Sequence, residues 1–221
     1  MKLSEITTKH TRKHREFDPK ERGHPEEYGL SNDPGHFSFV KHDEDEPHMI
    51  TKYHRRPDEM GDAFVSYAKL LKKKKIWNKN IHFPRIYVTN DDKDAEGRVF
   101  RDWTMEKLVS WKNVSEEELR ELISRYFRGP EINRFLSGKF TPLLEYAEQI
   151  PLYCISYFWN KNHGRFIVNN DEFKWALDFL KDIVNGEYGY IGSLDLHADN
   201  VMYRRTPVGV QLVFTDPFGF A

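Results

Sequence analysis

The chain has a single cysteine, Cys154, in 221 residues. One thiol closes no internal disulfide, so the fold must stand on packing alone, and a reducing cytoplasm is the expected setting. Cys154 sits in the apolar run Leu152-Tyr153-Cys154-Ile155, which marks it as core filling rather than a reactive thiol. No apolar run approaches the roughly 18 residues that a membrane span requires. The opening Met1-Lys2-Leu3-Ser4 lacks the apolar core of a secretion signal. Excess charge is missing too: 34 Lys and Arg face 35 Asp and Glu, for a net charge of -1. Without a basic excess there is little to neutralise a phosphate backbone, so nucleic acid is not an expected partner. Internal repeats and low-complexity segments are also absent. What remains is 38% hydrophobic and 14% aromatic residues, enough for a real core, and 31% charged residues, which suit a soluble surface. The length fits one large domain or one two-lobed domain.

Residues 1–27 are polar and carry the basic cluster Lys9 to Arg15, which reads as a solvated arm. Phe37-Ser38-Phe39-Val40 and His48-Met49-Ile50-Thr51-Lys52-Tyr53 read as strands, joined by the acidic turn Asp43 to Glu46. From Glu59 to Trp77, apolar Met60, Ala63, Phe64, Tyr67, Leu70 and Leu71 fall at helical spacing. Lys72 to Lys75 then suit the negative end of that helix dipole. Ile81 to Thr89 and Arg98 to Met105 predict two more strands around the turn Asn90 to Gly97, which lacks the ligand spacing of a calcium loop. Ser115-Glu116-Glu117-Glu118 is a capping box ahead of the stripe Leu119, Leu122, Ile123, Tyr126 and Phe127. Gly129-Pro130 is expected to end that helix. Weaker helical patterns cover Pro142 to Gln149 and Leu152 to Asn160. A strong one covers Asp171 to Asn185, with Gly186 as its cap.

The chemistry gathers near the C-terminal end. Asp195 is followed five positions later by Asn200, within Asp195-Leu196-His197-Ala198-Asp199-Asn200. The apolar strand Gln211-Leu212-Val213-Phe214 then delivers Asp216 in Thr215-Asp216-Pro217. A carboxylate that orients a hydroxyl nucleophile, with an amide and a second carboxylate to hold Mg2+ on nucleotide phosphates, is the apparatus of phosphoryl transfer.

These motifs resemble those of the protein-kinase-like superfamily. The Asp-Leu-His-x-x-Asn loop is similar to that of atypical and aminoglycoside-type kinases. The pairing of that loop with Thr-Asp-Pro, where Asp-Phe-Gly usually stands, most resembles the small serine/threonine protein kinases of T7-like bacteriophages. Gly35-His36-Phe37-Ser38 matches a Gly-His-Phe-Ser of those proteins. The resemblance runs over about residues 29 to 219 and is most specific at the C-terminal motifs. It implies an α+β, two-lobed protein-kinase-like fold. Residues 28–108 would form an antiparallel-sheet N-lobe, and residues 109–221 a minimal, truncated helical C-lobe.

The resemblance also distributes roles. Asp195 would orient the hydroxyl, and His197 would meet the transferred phosphoryl group. Asn200 and Asp216 would hold the metal. Lys52, mid-strand, would anchor the α- and β-phosphates of ATP. Gly29 and Gly35 would bracket a turn over those phosphates. Trp103 to Leu108 would be the hinge, with Glu106 and Leu108 near the adenine. The resemblance also asks for a helix carboxylate to pair with Lys52; Glu59 and Asp62, both near the start of their helix, are the candidates, and each also suits the helix dipole as an ordinary N-terminal carboxylate. Leu194 stands where an arginine is usual, and the chain ends five residues past Asp216. No activation segment is therefore expected, and the helices after residue 113, with the aromatic-rich stretch 129–169, would carry any substrate platform. The implied cofactors are ATP and Mg2+, and the implied acceptor is a protein of the phage's bacterial host, in the host cytoplasm. Two other readings stand beside this one: a small-molecule kinase, and a catalytically silent kinase-like module that binds and inhibits a host factor.

Overall fold

The computed structural model describes residues 38–42, 46–54, 63–93, 99–138, 142–159 and 165–219. Within them the chain is a mixture of helices and small antiparallel sheets, compatible with an α+β class. The first half builds a four-stranded sheet, in order β1-β2-β4-β3, from β1 (Ser38–His42), β2 (Met49–His54), β3 (Ile86–Lys93) and β4 (Val99–Glu106). Every pairing is antiparallel, and Lys52 of β2 lies directly opposite Trp103 of β4. Helix α1 (Ala63–Lys74) crosses between β2 and β3 in the chain and buries Phe64, Tyr67, Ala68 and Leu71. Its last turn is basic and Lys72 to Lys75 are exposed, as its dipole favours.

The expected strand from Ile81 begins five residues later, at Ile86. Pro84 has no N–H to give a ladder, which makes it a poor strand residue. The residues before it are also claimed elsewhere. His82 N–H donates to Asn80 Oδ1 at 2.8 Å, Asn80 Nδ2 donates to Glu172 O at 2.7 Å, and His82 O accepts from Phe214 N at 2.8 Å. The far end of β3 runs on through Lys93, so the turn begins later than the acidic residues suggest.

The second half is mainly helical. In α2 (Glu116–Tyr126) the capping box forms as expected, with Glu118 N–H donating to Ser115 Oγ and Ser115 N–H to the Glu118 carboxylate. Gly129-Pro130 opens a helix rather than closing one. After α2 come the two residues of β5 (Phe127–Arg128), and then α3 (Pro130–Leu136) with Pro130 in its first turn, where a missing N–H costs nothing. The two weak patterns after residue 142 fuse into one helix, α4 (Leu143–Phe158), with Pro151 inside it. Proline removes a helical hydrogen bond, yet Tyr146, Ala147, Ile150, Tyr153, Cys154 and Phe158 keep one buried stripe on both sides of it. Burial of that stripe outweighs the missing bond. Cys154 is fully buried, and burial pushes its thiol well above the usual range.

Helix α5 (Asp171–Val184) is capped by Asn170, whose side chain accepts from Phe173 N–H at 2.8 Å. Two-residue β6 (Ile167–Val168) pairs with β5. The chain then forms β7 (Ser193–Leu194), the hairpin β8 (Val201–Thr206) and β9 (Gly209–Phe214), and β10 (Phe218–Gly219), which pairs back on β7. An antiparallel bridge between Val109 and Tyr203 ties the segment after β4 to β8. No helix among the described residues is long and apolar enough to cross a membrane.

One core residue makes stability depend on pH. His82 is fully buried, edge-on to the rings of Tyr126 and Phe173 at 5.2 and 5.0 Å. Its Nδ1–H donates to Leu212 O at 2.8 Å, and its Nε2 has no partner among the described residues. Burial lowers its pKa from 6.5 to about 4, against the raising effect of the Leu212 carbonyl. The unfolded chain therefore binds a proton here between about pH 6.5 and pH 4 that the folded chain refuses. Stability should fall as pH falls through that window, by about 3 kcal/mol in full. Urea midpoints measured across the window for the parent and for His82→Gln check this: the parent's loss should exceed the variant's.

Candidate functional site

Four short elements bring the motif residues together. Strand β2 supplies Lys52, the β7–β8 loop supplies Asp195 to Asn200, and the β9–β10 turn supplies Asp216. The fourth, α1, packs behind them. Lys52 Nζ donates to Asp216 Oδ2 at 2.9 Å, across 164 residues of sequence. The ammonium also lies 3.7 Å from the centre of the Phe64 ring. Only 13% of the Lys52 side chain is exposed, against 32% for Asp216, so this pair is partly shielded from water.

The loop around Asp195 is held by its own backbone and by its neighbours. Asp195 N–H donates to Pro217 O at 2.9 Å, beside the β7–β10 pairing. Asn200 Nδ2 donates to Asp195 O at 2.8 Å and to Asp195 Oδ2 at 3.2 Å. Asp216 N–H donates to Asn200 O at 3.3 Å. Asp195, Asn200 and Asp216 are thus linked in one chain of hydrogen bonds. His197 Nδ1 accepts from Asp199 N–H at 3.3 Å, which leaves the ring proton on Nε2, 3.9 Å from Asp195 Oδ1. Asp199, an exposed turn carboxylate, accepts from Trp111 Nε1–H at 3.0 Å and so pins the loop to the segment after β4. Asp195 and His197 are both about half exposed.

The close approach of β7 to β10 depends on two glycines. A Cβ at Gly192 would lie 2.5 Å from Gly219 O, and one at Gly219 would lie 3.0 Å from Asp195 Oδ2. Either side chain would push the two loops apart or displace the carboxylate. Tyr67 of α1 holds the same turn from behind. Its hydroxyl donates to Phe214 O at 2.9 Å, and its ring meets Phe218 edge-on at 5.4 Å. Burial, and secondarily the Asp216 carboxylate, raise the Tyr67 pKa well above 10.0. That phenol stays a donor at any physiological pH.

The remaining candidate residues are placed as follows. Glu106 ends β4 with its side chain buried, and it serves an ion pair. Arg204 Nε donates to Glu106 Oε2 at 2.8 Å, Arg204 Nη2 donates to Oε1, and Arg85 N–H donates to the same Oε1 at 2.8 Å. Glu106 N–H donates to Arg85 O at 3.0 Å and Lys107 N–H to His48 O at 2.7 Å. Leu108 is buried just beyond. Gly29, Gly35, Glu59 and Asp62 lie outside the described residues, as do the N-terminal arm and Phe140. Of the aromatic stretch after residue 129, Tyr146, Tyr153, Phe158 and Phe166 are core, and Trp159 is exposed.

Asp216 and Asn200 offer oxygen donors. Asn200 turns its Nδ2 to Asp195, which leaves its amide oxygen as the atom a cation would take. Hard oxygen donors in small number suit Mg2+, which keeps several waters and shares phosphate oxygens. Among the described residues no group of three or more His, Cys, Asp or Glu side chains gathers as a metal cluster. A cation here would lean on water and on a ligand's own oxygens. Phe64, Tyr67, Trp111, Gly192 and Gly219 were not legible as site residues from spacing. Of these, the two glycines alone gave a signal, since each flanks a motif. No protein-family model and no curated protein matches this chain.

Proposed function

We propose that the chain is a two-lobed, kinase-like phosphotransferase that moves the γ-phosphoryl group of ATP to a hydroxyl, with a protein of a bacterial host as the acceptor. The observation that carries this reading is the 2.9 Å hydrogen bond between Lys52 and Asp216. It joins the sheet to the C-terminal loops at the point where Asp195 and Asn200 also meet. A cation and a carboxylate so placed, beside a half-exposed second carboxylate, supply the parts for binding phosphates and orienting a nucleophile.

On this reading Asp195 accepts the hydroxyl proton or aligns the oxygen for attack. Asn200 fixes the Asp195 carboxylate through its amide and turns its own oxygen toward the phosphates. Lys52 exchanges Asp216 for the α- and β-phosphates when nucleotide binds. His197, with its N–H on Nε2, donates to the transferred group. Mg2+, held by Asn200 and Asp216, would supply charge neutralisation on the β- and γ-phosphates. The Glu106 N–H is already spent on Arg85, so adenine would be read by backbone groups other than that one. Positioning and preorganised charge account for most of such a rate enhancement.

The test is transfer itself. Parent and Asp216→Ala proteins are incubated with γ-labelled ATP, Mg2+ and a bacterial lysate. Labelled protein bands with the parent, absent with the variant, support the reading. Label confined to small molecules moves the acceptor to that class. No transfer by the parent overturns the reading in favour of a silent binding module.

A further inference from the structure

Kinase-like sites ask for a group on the neighbouring helix to orient the phosphate-binding lysine, and the sequence offers Glu59 or Asp62. Within its described span, Ala63–Lys74, α1 contains no acidic residue at all. The group that this span presents to Lys52 is the ring of Phe64. The ammonium nitrogen stands 3.7 Å from the ring centre, on the electron-rich face. The ring is itself fixed. Phe64 is 2% exposed, and it meets Trp103 edge-on at 6.2 Å and 87°. Trp103 is the residue directly opposite Lys52 in the β2–β4 ladder. Lysine, phenylalanine and tryptophan therefore form one packed unit.

We propose that Phe64 is a positioning residue for Lys52, its ring face orienting the ammonium. The inference rests on the reading of Lys52 as the phosphate anchor. It has a physical consequence that separates it from the carboxylate arrangement. A ring holds the ammonium through a quadrupole and leaves its full positive charge in place. That charge is shared with Asp216 in the nucleotide-free form, and passes to the phosphates when ATP binds. A carboxylate in the place of the ring would neutralise much of it.

The experiment has one arm that needs no nucleotide and one that does. In protein labelled at lysine carbons, the Lys52 ε-CH2 signal should show an upfield ring-current shift. The shift should persist in Phe64→Tyr and vanish in Phe64→Leu. In the second arm the Kd for ATP with Mg2+ is measured. Phe64→Leu should weaken binding roughly twofold to thirtyfold, with Phe64→Tyr close to the parent. Stepwise fluorination of the Phe64 ring, which drains the face and keeps the shape, should weaken binding in graded steps. Absence of the shift in the parent overturns the contact. A flat fluorination series, in protein where Lys52→Met does weaken ATP binding, overturns the positioning role. Lys52→Met without effect overturns the phosphate-anchor reading instead, and the first arm still reports whether the contact exists.

Discussion

On the proposed function, Asp195→Ala should lower the rate of phosphoryl transfer by roughly a hundredfold to ten-thousandfold while ATP stays bound. The asymmetry follows from the site. Lys52 and Asp216 touch each other and do not depend on the Asp195 side chain to do so. Asp195 is secured mainly by its backbone, through its N–H to Pro217 O and its carbonyl to Asn200 Nδ2. Truncating it at Cβ therefore removes the carboxylate and leaves the loop in register. The hydrogen bond that breaks runs from Asn200 Nδ2 to Asp195 Oδ2 at 3.2 Å, the longer of the two that Asn200 makes there. Single-turnover transfer beside equilibrium ATP titration separates the two effects. A variant as fast as the parent would sink the assignment of Asp195. A variant that no longer binds ATP would show that the carboxylate serves the nucleotide rather than the acceptor.

Arg204→Ala should destabilise the fold by about 3–5 kcal/mol. The guanidinium of Arg204 makes a two-pronged pair with Glu106 and also donates to Phe83 O at 3.1 Å and to Ile81 O. Its side chain is 12% exposed and that of Glu106 is 9%. Removing the arginine strands a carboxylate in a place with little water, with the Arg85 N–H left to answer it. The carbonyls of Ile81 and Phe83 lose a donor in the same step. A buried pair of this kind is a weak source of net stability and a strong source of penalty when halved. Replacing both partners, Arg204→Met with Glu106→Leu, should therefore cost less than Arg204→Ala alone. Urea unfolding of the three proteins decides it. Equal losses for single and double variants would mean the pair is no more than packing.

The helices with a single apolar stripe were readable in the sequence: α2 with its capping box, α5 with its strong periodicity, and the buried face of α1. Their signals are local, since a cap or a stripe needs only residues within a turn or two. Strand starts and helix joins read less well wherever distant contacts decide. Ile81 to Arg85 carries strand-like residues, yet His82 is drawn off by Asn80, Leu212 and Phe214. Pro151 argues for two helices, and the burial of Tyr153, Cys154 and Phe158 beyond it argues for one. In the site, Asp195, Asn200 and Asp216 were legible because their spacing is itself the motif, and Lys52 because it lies mid-strand. Phe64 and Tyr67 were read only as core, and core they are. Nothing in a stripe of apolar residues says that one ring will face an ammonium and the next will hold a carbonyl.

Tyr67 gives α1 a mechanical part in the molecule. The hydroxyl grips the backbone two residues before Asp216, and the ring leans on the residue two after it. The turn that carries Asp216 is thereby fastened to α1 on both of its flanks. The outer side of that helix carries exposed Lys69, Lys73 and Lys74. Loss of the Tyr67 hydroxyl would leave the Phe214 carbonyl without that donor and so loosen one flank of the turn that carries Asp216.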